Sequence, residues 1–189
     1  MNIQDWLTQA RPVIGMIHLL ALPGAPKWQG SLEQVLDRAC ADAKTYAAAG
    51  FDAILVENFG DLPFSSTVVE PHIVAAMAWI LTNLRREVAM PMGVNVLRND
   101  WRAALALAAT CGGSFIRVNV HCGVMITDQG MITGNAHDEE VGVPSSISRR
   151  ESTITAFVRE ARCSYAMKIP FVTSCVPPST MAVTWLFKR

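Results

Sequence analysis

Several side chains able to bind a ligand or move a proton stand inside or just beyond short apolar runs. His18 lies in Val13-Ile14-Gly15-Met16-Ile17-His18-Leu19, and Glu57 and Asn58 close Ala53-Ile54-Leu55-Val56. Asn95 lies in Pro91-Met92-Gly93-Val94-Asn95-Val96-Leu97 with Arg98 next, and Arg117, Asn119 and His121 lie in and after Phe115-Ile116-Arg117-Val118-Asn119-Val120. Alternate residues of a strand share a face, so Phe115, Arg117, Asn119 and His121 point the same way. A guanidinium on an inward face requires a carboxylate, and Glu57 is the candidate partner. The pair either anchors substrate and carries acid–base chemistry or is a structural ion pair. His18, with Met16 on its face, suits a general base or a metal ligand; the alternative is a hydrogen-bonded core histidine. Asn58, Asn95 and Asn119 can donate and accept, which fits the hydroxyls of a sugar-like ligand or, equally, loop capping. Asp61 in Gly60-Asp61 and Asp128 in Asp128-Gln129-Gly130 stand in turn sequences and are expected to line the mouth of the site. His18, Glu57, His121 and Asp128 are a conceivable metal set. Neither His-x-His nor His-Glu-x-x-His spacing supports it, so no metal is assigned and the cofactor stays open.

The elements that hold these residues alternate. Pro12 precedes the first apolar run, and a Pro/Gly loop follows from Ala21 to Gly30. Ser31 then reads as an N-cap with Gln34 at the capping-box position. Leu32, Val35, Leu36, Ala39, Cys40 and Ala43 recur at helical spacing until Gly50. After the second strand comes a loop from Phe59 to Phe64. Pro71 sits at a helix start, and a second helix is predicted over Ile73 to Val88. Asp100 is placed to cap a third helix, Trp101 to Thr110, which stops at Gly112-Gly113. After the fourth strand, His121 to His137 reads as one long loop. Trp79 and Trp101 fall on helical patterns and are expected to pack rather than to bind ligand.

Repeated strand–helix steps imply parallel strands with right-handed crossovers. A (β/α)8 barrel of the TIM type and an open doubly wound sheet both qualify. The segment after the first strand, Leu22-Pro23-Gly24-Ala25-Pro26, is not the Gly-x-Gly-x-x-Gly of a dinucleotide-binding sheet. Polar residues instead gather where each strand ends, as at the C-terminal face of a barrel. The expected class is α/β, an incomplete (β/α)8 barrel with about four βα units.

Composition excludes other readings. Sixteen Lys and Arg balance sixteen Asp and Glu over 189 residues, which argues against a general nucleic-acid binder. The longest fully apolar run, Ile73 to Leu81, is far shorter than the ~20 residues of a membrane span. The N-terminus has no basic stretch followed by an apolar one, so a cytoplasmic location is expected. The five cysteines are odd in number and widely spaced, neither a disulfide framework nor a zinc site.

Three segments resemble the BtpA family. They are Val13 to Leu19 with Leu22-Pro23-Gly24, Val56-Glu57-Asn58-Phe59-Gly60-Asp61-Leu62-Pro63-Phe64, and Phe115 to His121 with Thr127-Asp128-Gln129-Gly130. The resemblance covers about residues 11–137. It implies a TIM-type, ribulose-phosphate-binding barrel, with links to photosystem I biogenesis in cyanobacteria and to sugar metabolism in other bacteria. Two functions therefore stand: an enzyme acting on a small sugar-phosphate-like ligand, with His18, Glu57 and Arg117 catalytic and Asn58, Asn95, Asn119, Asp61 and Asp128 binding substrate; or a non-catalytic assembly factor for a membrane complex. Residues 1–137 would form the family's N-terminal half-barrel and 138–189 an atypical tail. That tail holds 12 Ser/Thr against 11 in all that precedes it, as a frameshifted sequence would, and its periodic stretches are Ile154 to Ala161 and Ile169 to Val172. A complete barrel needs about 250 residues, and its phosphate site follows strands seven and eight, which have no counterpart here. A half-barrel leaves the first and fourth strands as open edges, so the chain is expected to be inactive alone and to aggregate, degrade or associate with a second copy.

Overall fold

The computed structural model describes residues 12–137 and a strand at Thr155–Val158. Its elements alternate as β1 (Ile14–His18), α1 (Leu32–Ala48), β2 (Ala53–Glu57), α2 (Pro71–Glu87), β3 (Met92–Asn95), α3 (Trp101–Cys111) and β4 (Phe115–Val118). A hairpin of β5 (Val124–Thr127) and β6 (Gly130–Thr133) follows, and β7 is the strand at Thr155–Val158. The main sheet is parallel in the order β1-β2-β3-β4-β7.

The helix boundaries follow local chemistry. The Ser31 side chain accepts the Gln34 N–H at 3.2 Å, satisfying one of the amides that the first turn of α1 leaves unpaired. Asp100 does the same for α3 through Ala103 N–H at 3.0 Å, and its other oxygen takes Val69 N–H at 2.9 Å, tying the loop before α2 to the cap of α3. Pro71 opens α2 at a position that needs no donor. Gly112 ends α3 at φ +74°, a left-handed conformation that glycine adopts without a Cβ clash.

The three described helices cover one face of the sheet. Ile17, Ile54, Val56, Met92, Val94, Ile116 and Val118 pack there with Val35, Ala39, Met77, Ile80, Leu84, Ala104 and Leu107 in a single core cluster. A doubly wound sheet would carry helices on both faces. The described part is instead a parallel sheet with one helix layer, its strands in chain order. The other face, free of helices among the described residues, carries Ala53, Leu55 and Phe115 with the partly buried Ile14 and Met16.

Two expectations are corrected. The segment from His121 to His137 is not one loop but contains the β5–β6 hairpin, with Met125 opposite Ile132 and Asp128-Gln129 at its tip. Nor is β4 a sheet edge, because β7 pairs with it in parallel, Phe115 opposite Thr155 through Val118 opposite Val158. That strand falls within the periodic stretch Ile154 to Ala161; Ile169 to Val172 lies outside the described residues. Trp101 is buried as expected, whereas Trp79 is 39% exposed on the outer side of α2. Among the described residues no helix is long and apolar enough to cross a membrane.

Candidate functional site

The helix-free face ends in a row of polar side chains. Register places His18 beside Glu57 and Glu57 beside Asn95. Extending the Gly93–Phe115 pairing by two residues brings Asn95 level with Arg117. Strand periodicity thus delivers four polar groups, one from each of four neighbouring strands, at the C-terminal end of the sheet. Glu57 is the hub. Its Oε1 accepts from Asn95 Nδ2 at 2.8 Å and from Arg117 Nη1, and its Oε2 faces His18 Nε2 at 3.6 Å. Glu57, Asn95 and Arg117 are buried, while 48% of the His18 side chain is exposed. The Phe59 ring stacks on the His18 imidazole with centroids 4.2 Å apart and 14° between planes, fixing its orientation.

These groups open onto a cavity of about 470 Å³ lined by Met16, His18, Glu57, Phe59, Arg98, Arg117 and Asn119, with Met125, Thr127 and Ile132 of the hairpin as a further wall. Arg117 Nε is buried and has no hydrogen-bond partner among the described residues. A buried guanidinium thus keeps donor capacity after Glu57 has taken Nη1, and among the described residues the carboxylate that pairs with it is Glu57. Chemically the row can bind an oxygen-rich anion, and the imidazole beside a held carboxylate can accept or release a proton.

The other predicted residues separate by environment. Asn119 lines the cavity and donates to the Arg98 carbonyl. Asn58 and Asp61 do not join the row. Asn58 Oδ1 accepts Leu97 N–H at 2.7 Å, its Nδ2 donates to Asp61 Oδ2 at 3.0 Å, and Asp61 Oδ1 accepts Leu22 N–H at 2.7 Å. The two buried side chains thereby tie together the segments that follow β1, β2 and β3. Burial raises the Asp61 pKa, against the hydrogen bonds from Leu22 and Asn58 that lower it. Gly60 beside them makes a close backbone approach. A Cβ there would lie 2.3 Å from Ala21 N, and the Gly60 N–H bonds Leu19 O at 3.0 Å, so the chain after β2 runs against the chain after β1. His121 is buried and does not line the cavity. Among the described residues no three His, Cys, Asp or Glu side chains gather as a metal site requires.

Asp128, at the hairpin tip, meets Arg98: Nη2 lies 2.7 Å from Asp128 Oδ1 and Nε 2.8 Å from Gln129 Oε1. The Arg98 hydrogen bond, followed by one from Gln129, holds the Asp128 carboxyl below its ordinary pKa. Arg98 is a residue to which sequence reasoning assigns no role, although it stands with Asn95 in the polar group at the end of β3.

The profile of the BtpA family matches residues 9–171, most of the chain, and runs past His137, where the resemblance in short motifs ends. The chain belongs to the BtpA family. It is 53% identical over 127 residues to the Photosystem I biogenesis protein BtpA of Synechocystis, covering 67% of this chain and 44% of that protein. It is 49% identical over 129 residues to an uncharacterized protein of Pyrococcus abyssi, covering 68% and 49%. An uncharacterized mitochondrial protein of Caenorhabditis elegans is 35% identical over 140 residues, covering 71% and 50%. The chain therefore spans about half the length of the curated relatives it matches.

Proposed function

We propose that this BtpA family chain contributes the strand-end half of a (β/α)-barrel site that binds a small, oxygen-rich, anionic metabolite of the sugar-phosphate kind. In this reading Arg117 anchors the anion, Asn95 and Asn119 meet hydroxyls, and His18, oriented by Phe59 and Glu57, is the acid–base group. Asn58 and Asp61 act by holding the three loops, and Asp128 acts through Arg98. The carrying observation is the Glu57 carboxylate, which bridges Arg117 and Asn95 on one oxygen and faces His18 on the other, inside a cavity of ligand size.

The test is thermal melting and calorimetry of the purified chain against a panel of sugar phosphates and their unphosphorylated parents. A ligand at a hundred times its Kd should stabilise by about 2.7 kcal/mol, and the R117K and H18N variants should weaken that response. A panel without a response, or a response that R117K and H18N leave intact, would overturn the reading. A second reading, an assembly factor acting through its surface, draws on the name of the Synechocystis relative and on the exposed apolar side chains Val124, Ile126 and Met131. It expects substitutions on that outer hairpin face, not in the row, to abolish function in a cell.

A further inference from the structure

The β5–β6 hairpin forms a two-stranded sheet of its own. Hairpins of that kind are marginal in water unless something holds them. Its sides alternate cleanly: Met125, Thr127 and Ile132 face the cavity, while Val124, Ile126 and Met131 are exposed. Glycines bracket its base, where Gly134 N–H bonds Gly123 O at 2.8 Å and Gly123 sits at φ +74°. Its tip is gripped by the forked contacts of Arg98 to Asp128 and Gln129. Arg98 is itself fixed from two sides, by its N–H to Ser65 O at 3.0 Å and by Asn119 on its carbonyl. Its guanidinium lies 5.1 Å from the Phe64 ring, which neighbours Phe59 and, through it, His18.

We propose that the hairpin is a lid on the Glu57-centred cavity and that Arg98 is the positioning residue that latches its tip. The proposal rests on reading that cavity as a ligand site. A swing about the glycine-bracketed base leaves the β5–β6 ladder intact. Among the contacts described above, it breaks the Arg98 grip and the packing of Met125, Thr127 and Ile132, so the latch helps to set how often the cavity opens. The closed lid walls the cavity with Met125, Thr127 and Ile132, and the open lid admits ligand.

A thiol placed beneath the lid tests this in the full 189-residue chain without any ligand. Met16 lines the cavity, and its M16C variant is labelled with fluorescein maleimide, sites being assigned by peptide mass. Cys111, buried on α3, serves as the marker of general loosening. D128N/Q129A in the M16C background should raise the labelling rate at position 16 by roughly threefold or more, the scale of losing one or two surface contacts, with Cys111 still unlabelled. R98K, which keeps the charge but not the fork, should fall between. An unchanged rate at position 16, or a rise matched at Cys111, overturns the lid. Faster labelling together with a silent ligand panel would keep the lid and discard the functional reading; ligand binding with unchanged labelling would do the reverse.

Discussion

Glu57 and Arg117 show how far a single residue's role follows from strand parity alone. Their meeting is dictated by the alternation of faces and by the rule that a buried guanidinium needs a carboxylate, and Glu57 does accept from Arg117 Nη1. Asn58 and Asp61 carry an equally strong polar signal, yet they sit in a loop, where no periodicity says which way a side chain turns. In the folded chain the Leu97 and Leu22 amides occupy them. Arg98 escapes sequence reasoning for the same cause: its partners arrive from a turn thirty residues on. The buried pair makes a measurable claim. Glu57→Met strands a buried cation and should cost about 3–5 kcal/mol in urea denaturation. E57M/R117M removes both charges and should recover a large part of that loss. A double variant as unstable as the sum of its singles would mean that the two side chains stabilise the fold independently.

Among the elements, helices and long apolar strands are legible in the sequence because capping residues and apolar spacing agree: Ser31, Pro71, Asp100 and Gly112 all stand at the ends they mark. The β5–β6 hairpin is not. Its strands are four residues each, and Val124-Met125-Ile126 shows no apolar–polar alternation because both of its sides carry apolar residues. β7 is visible only as a periodic stretch, since a lone short strand has no meaning until a partner is known. The latch of the hairpin also fixes a pH response. Asp128 is held below the ordinary carboxylate range by Arg98 and Gln129. Its stabilising contribution is therefore complete above the unfolded aspartate pKa of about 3.9 and disappears as pH falls through the lower folded value. Urea titrations at a series of pH values should show a constant advantage of wild type over D128N at neutral pH that vanishes in acid. An advantage that grew in acid would contradict the assignment.

At the scale of the whole described sheet, the main core and the candidate site lie on opposite faces. The helix-covered face holds the large core cluster, and the other face holds a few apolar residues below the polar row. Leu84→Ala, on α2 in the fully buried cluster, should cost about 2–5 kcal/mol. Met16→Ala on the cavity side, where the side chain is already part-exposed, should cost less than half as much. Equal losses in thermal or urea melts would show that the cavity face carries as much of the fold as the helical face does. The layering is foreseeable from the sequence because the first four strands are apolar almost throughout, with polar residues confined to their ends. The parallel order follows from the crossover rule.

The contact at Gly60 has a consequence for how such a protein can change over generations. Folds that keep their chemistry at strand ends diversify by exchanging the loops there. Here the chain after β2 lies backbone to backbone against the chain after β1, with no room for a methyl group between them. Asp61 holds Leu22 across the same seam. A replacement of either loop has to preserve this contact, so a graft from a relative is expected to keep its fold only when it carries both.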